Sequence, residues 1–117
     1  MNPKAVFAVV VASAGLVAAC ASNFPPPNTE WAAAQGDVGR AQAAGAPNVP
    51  AARLHLQLAE EDLQKAKALI DTDNKRATTL TEVARVEAQL ALSLSKQAEA
   101  DGQARQAQAD LSKATAR

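Results

Sequence analysis

The chain has 117 residues and a formal net charge of zero, with twelve basic and twelve acidic side chains. That length suits one domain. Both signs are interspersed, so no basic patch exists to neutralise phosphates and nucleic acid is not an expected partner; no acidic tail is present either. Hydrophobic residues are 48% of the chain, yet only three are aromatic (Phe7, Phe24 and Trp31) and much of the remainder is alanine. Alanine favours helix and buries little area, so the expected core is thin and close-packed. Such a core is marginal at this size, and long-helix packing or self-association would support it.

The first four residues carry one positive side chain, Lys4, and residues 5–19 form an uncharged apolar run. Fifteen helical residues span roughly 22 Å, short of the ~30 Å hydrocarbon core of a bilayer. That length fits a signal peptide better than a membrane span. The run ends in Leu16-Val17-Ala18-Ala19-Cys20, and Cys20 is the single cysteine, which excludes an intramolecular disulfide. An aliphatic residue, two small residues and a cysteine resemble the lipobox of bacterial lipoproteins. The resemblance implies removal of residues 1–19 and a diacylglycerol on the Cys20 sulfur, commonly with an acylated amino terminus. Two or three acyl chains anchor firmly, at ~0.8 kcal/mol per buried methylene. In such proteins of two-membrane bacteria, aspartate after the cysteine is the usual signal for inner-membrane retention. Here that residue is Ala21, which implies the outer membrane, with the domain on its periplasmic face.

Residues 20–28 read as a lipidated cysteine followed by a tether containing Pro25, Pro26 and Pro27. Prolines fix φ and remove donors, so the tether is polyproline-like, a spacer of about 25 Å. Residues 29–117 read as an alanine-rich helical domain. Asn28 is the expected N-cap of a first helix over 29–44, with Glu30 in its first turn and Trp31, Ala34, Val38 and Ala41 on one face. Trp31, the one large side chain of the mature domain, reads as a core anchor. Gly45, Pro47 and Pro50 interrupt the pattern.

A second helix is predicted over 50–70. Ala52, Leu56, Ala59, Leu63, Ala66 and Ile70 form a four-three seam of coiled-coil type, and Leu54, Leu58 and Leu69 widen it toward a second neighbour. Asp71, Thr72, Asp73 and Asn74 form a short capping turn, which makes the flanking helices an antiparallel hairpin. A third helix is predicted over 74–116. One of its stripes runs Val83, Val86, Leu90, Ser93, Gln97, Ala100, Ala104, Ala107, Leu111 and Ala114; a second runs Leu80, Ala84, Glu87, Ala91, Leu94 and Ala98. The second helix is ~32 Å long and the third ~65 Å, so the third overhangs the hairpin. Gly102 costs ~1 kcal/mol within it, which leaves a continuous helix with a weak end as the favoured reading. The fold expected is all-α: an antiparallel three-helix bundle with a long C-terminal helix of coiled-coil character. Val83, Val86, Leu90, Leu94, Ala100, Ala104, Ala107 and Leu111 are the expected interaction seam.

Over residues 28–100 the chain resembles the domain-of-unknown-function family DUF4398 of bacterial lipoproteins. The resemblance rests on Ala44-Gly45-Ala46 with Pro50, on Leu58-Ala59, Leu63 and Ala66, on Arg76-Ala77, Leu80 and Ala84, and on Glu87-Ala88-Gln89-Leu90-Ala91. The family usually has aspartate at the position of Glu87 and glycine at that of Thr72. It has no established activity. Some members carry an added peptidoglycan-binding domain, which this sequence lacks. An acidic residue at position 87, within an apolar stripe, implies a specific buried bond or an interface contact. Arg53 or Lys67 across the hairpin is the expected partner.

No constellation for catalysis stands out. His55 is the one histidine, and it reads as an exposed or half-buried helix residue rather than a metal ligand. No Gly-rich phosphate loop occurs, and no nucleophile has a nearby base. Glu60, Glu61 and Asp62 read as a solvated face, and Asp71 and Asp73 as caps rather than a calcium site. No metal or cofactor is expected beyond covalent lipid on Cys20. The function expected is a membrane-anchored, non-enzymatic module that binds another envelope protein or itself. One alternative is a spacer associated with peptidoglycan; the ending Ala114-Thr115-Ala116-Arg117 lacks the terminal lysine with which murein lipoprotein makes its covalent link. The other alternative is a regulatory subunit of an envelope enzyme.

Overall fold

The computed structural model describes residues 23–117. The signal peptide expected at residues 1–19, with Val17, Ala18 and Ala19 of the lipobox, and the lipid site Cys20 lie outside the described residues. Three α-helices follow one another: α1 (Asn28–Ala43), α2 (Pro50–Leu69) and α3 (Asn74–Thr115), with one turn of 3-10 helix, Ala46–Asn48, between the first two. Among the described residues there is no strand. The protein is an all-α three-helix domain whose long last helix packs against the other two.

Each boundary has a local cause. Asn28 is the first residue of α1 and not its cap, which corrects the sequence reading. Pro27 takes the cap position: its carbonyl accepts the Trp31 N–H at 2.9 Å, and no side chain caps the helix. A proline ring at that point leaves the Asn28 side chain no capping duty. At the other end Gly45 adopts φ +84, a conformation that costs glycine little. Its carbonyl accepts the Asn48 N–H at 2.9 Å, closing the 3-10 turn. Val49 is extended and Pro50 opens α2, where a missing N–H costs nothing. After α2 the chain reverses in four residues. Asp71 stands at φ 72, a region that aspartate tolerates better than most residues. The Asp73 carboxylate accepts the Arg76 N–H at 3.1 Å, and Asn74 accepts the Asp71 N–H at 2.7 Å.

The core is built mainly from alanine. On α2 the buried residues are Ala52, Leu56, Ala59, Leu63 and Ala66, the predicted seam without Ile70. On α3 they are Ala77, Thr81, Ala84, Ala88, Ala91 and Ser95. Both sets repeat at alternating spacings of four and three, so an alanine–leucine stripe on α2 faces a stripe of small side chains on α3 in antiparallel order. The Thr81 and Ser95 hydroxyls each donate to the carbonyl four residues back, at 2.9 Å, which makes them acceptable in an apolar layer. Helix α1 adds Ala34, Val38 and Ala41.

Of the two predicted stripes on α3, Ala84 and Ala91 of the second belong to the core, while Val83, Val86 and Leu90 of the first, the expected interaction seam, are exposed. On α3 the contact with α2 selects alanines because a small side chain lets the backbones approach, while valine and leucine at neighbouring angles are left outside. One expectation is corrected: Leu54 and Leu58 face no second neighbour among the described residues, and both are exposed. Helix α1 lies on the other flank of α2, the flank carrying Glu60, Leu63 and Lys67.

Helix α3 runs unbroken through Gly102, and every residue from 103 to 117 is exposed. Its C-terminal third is therefore an overhang beyond the bundle. At the N-terminal end, Pro27 is buried, and the Asn74 side-chain amide donates to the Phe24 carbonyl at 2.9 Å. The Phe24 ring lies 5.8 Å from the Lys75 ammonium. The described end of the tether is thus attached to the start of α3. No helix among the described residues is long and apolar enough to cross a membrane.

Candidate interaction faces of the hairpin

The α2–α3 hairpin has two flanks with different chemistry. The first is covered by α1 and carries most of the polar links. Trp31 on α1 lies across it, donating its indole N–H to the Leu63 carbonyl at 2.9 Å. The Lys67 ammonium sits 5.3 Å over the same ring, a cation–π contact at a half-buried site. Gln42 donates to Glu60 at 2.7 Å. Trp31 is thus an anchor that packs on the core from its edge, with a polar tip that finds a partner.

Asp37 is the buried acid of this flank, only 4% exposed. Its carboxylate accepts from Arg40 one turn later on α1. The other oxygen meets Gln89 at 3.3 Å and the Arg85 guanidinium at 3.4 Å, both on α3. Two cations and an amide therefore satisfy one buried carboxylate, which makes the cluster a bracket between α1 and α3. Sequence reasoning missed Asp37. The signal was available: it sits at the spacing of Ala34, Val38 and Ala41, one polar residue on an apolar face.

The second flank is uncovered. At 100° per residue, His55 and Leu58 on α2 and Val83 and Glu87 on α3 point away from the α1 side. There His55 Nδ1 meets Glu87 Oε2 at 2.5 Å. Glu87 does make the specific polar contact that the family's acidic residue implied, but its partner is His55. Arg53 and Lys67 do not bind it; Lys67 is engaged at Trp31 on the opposite flank. Both members of the pair are half-buried, at 27% and 25% exposure. Among the described residues no buried polar side-chain atom lacks a partner, and no three His, Cys, Asp or Glu residues lie close enough together to hold a metal.

The predicted seam on α3 divides in two. Leu94 packs against the core cluster. Val83, Val86 and Leu90 form an exposed apolar strip at the level of the hairpin, and Ala100, Ala104, Ala107 and Leu111 continue it along the overhang. Val86 is 64% exposed and Leu111 66%, values that place them on the surface of the described domain. On the outer surface of α2, Lys65 meets Asp62 at 3.2 Å and Glu61 at 3.7 Å.

Fold and faces together define an alanine-packed three-helix domain, a polar-bracketed hairpin with a projecting terminal helix. The profile of the family described as Domain of unknown function (DUF4398) matches residues 29–107. The chain belongs to that family. Neither a curated protein nor a solved structure gives a match.

Proposed function

We propose that this protein is a lipid-anchored module of the bacterial envelope that acts by contact and not by catalysis. The observation that carries the reading is Leu16-Val17-Ala18-Ala19-Cys20 at the end of the uncharged run 5–19. Cys20 receives the lipid, Ala21 directs the protein to the outer membrane, and the helical domain stands in the periplasm. The exposed strip on α3 supports a binding role, because apolar side chains grouped on one helix face invite a protein partner. The polar groups fit a structural role: Glu87 meets His55 between α2 and α3, and Asp37 is held by Arg40, Arg85 and Gln89 between α1 and α3.

Labelling of growing cells with radioactive palmitate tests the anchor. Label on the wild-type chain, and its loss in Cys20→Ser together with release from the membrane fraction, is the expected result. An unlabelled wild-type chain, or a Cys20→Ser variant that fractionates unchanged, sinks the proposal.

A further inference from the structure

We infer that the partner of the exposed strip on α3 is a second copy of this chain, and that the two α3 helices pair antiparallel along residues 83–114. This deepens the contact reading above and does not depend on the lipid.

The strip has an unbroken seven-residue repeat from Val83 to Ala114, alternating steps of three and four. Such a period lets two helices stay in contact over their whole length. It lies on a different face from Ala77, Ala84 and Ala91, which are occupied by α2. Among the described residues no other element reaches its second half, since α1 and α2 end at the level of the core.

Size and charge both select the antiparallel arrangement. The large side chains Val83, Val86 and Leu90 stand at the start of the strip, and alanines dominate its end. Antiparallel pairing over 83–114 sets Val83 against the partner's Ala114 and Leu90 against the partner's Ala107. Val86 meets the partner's Leu111, joining two of the most exposed apolar side chains of the molecule. Ser93 and Gln97 meet alanines. Every layer except Val86 then contains at least one small residue, so the helix separation stays nearly constant. Along the helical flanks no like charges are opposed. A parallel pair would stack the large side chains at one end and bring Glu82 beside the partner's Glu87. The antiparallel contact is about 46 Å long, and two strips ~10 Å wide enclose on the order of 1,000 Å², the lower bound for a specific interface.

Residues 23–117, which carry the core described above, are the material for sedimentation. The wild-type domain should form a concentration-dependent dimer. Val86→Glu and Leu111→Lys should each weaken association about tenfold or more, with helicity by circular dichroism unchanged. The double variant Val86→Glu/Leu111→Lys should recover it, because the two new charges face each other across the pair. A short bismaleimide should join a Leu90→Cys chain to an Ala107→Cys chain. It should not join two Leu90→Cys chains, whose thiols would be roughly 25 Å apart. A monomer at all concentrations up to about 1 mM, a Val86→Glu variant that associates like wild type, a double variant without recovery, or efficient Leu90–Leu90 linkage would each overturn the assignment. A monomer that still takes up palmitate in cells refutes the pairing and leaves the anchor intact.

Discussion

His55 on α2 and Glu87 on α3 meet at 2.5 Å in the middle of the flank that α1 leaves uncovered. The α3 side of the hairpin contact is lined mainly by alanines, which fit many neighbours equally well. The pair therefore specifies how α2 and α3 align as well as adding attraction. Since each side chain keeps about a quarter of its surface in water (27% and 25%), its worth is small. Glu87→Ala should lower unfolding free energy by about 0.5–1 kcal/mol. A double-mutant cycle with His55→Ala, read by urea denaturation, should return a coupling of similar size. Purely additive losses would show that the two side chains act independently.

Asp37 should matter more. It is almost fully buried, while its partners Arg40 and Arg85 have 65% and 56% of their side chains exposed. Removing the acid strands no buried cation, because both arginines can return to water. The expected loss for Asp37→Ala is thus about 1–2 kcal/mol, below the larger penalty for breaking a fully buried ion pair. The urea midpoint checks it, and a change below about 0.3 kcal/mol would mean that the bracket between α1 and α3 is ornamental.

Two substitutions on neighbouring faces of α3 separate core from surface. Ala88 is fully buried against α2, whereas Val86 is 64% exposed. Ala88→Leu should destabilise by about 1–3 kcal/mol through overpacking. Val86→Ala should stay within about 0.5 kcal/mol of wild type when measured at concentrations too low for association. Reversed magnitudes in thermal or urea melts would mean that the helix is rotated from the orientation described. Trp31 is the single tryptophan, so its emission follows unfolding without a label.

The overhang makes a further contrast. A Cβ on Gly102 meets nothing within 4 Å, and Gly102→Ala removes a helix-weakening residue worth about 0.5–1 kcal/mol. Yet the last core residue is Ser95. Helicity at elevated temperature should therefore rise while the fluorescence midpoint of Trp31 holds still, again at low concentration. A shift in that midpoint would couple the tail to the bundle.

Much of the fold was legible because its punctuation is local. Gly45, Pro50 and the Asp71–Asn74 turn end and start helices through backbone chemistry that needs no tertiary context. The seam on α2 was legible too, since leucines alternate with alanines along it. On α3 the sequence offered two stripes, and spacing alone did not say which of them α2 takes. Closeness of approach decides that, and it is a property of two helices together. The same limit hid the partner of Glu87. Spacing showed that residue 87 needed one, but choosing His55 over Arg53 requires the rotation of α2. Asp37 was marked by its place among Ala34, Val38 and Ala41, but its partners Arg85 and Gln89 are fixed only when α3 is laid upon α1.

The attachment of Phe24 to Asn74 gives the molecule a polarity. Only three residues of chain separate Cys20 from Phe24, while the far end of α3 lies ~60 Å away. With fatty chains at Cys20, a single molecule could stand upright like a mast, its tip well clear of the bilayer. Two molecules joined head to tail could not: their greasy feet would be roughly 70 Å apart. Such a rod must either recline on one leaflet or bridge two.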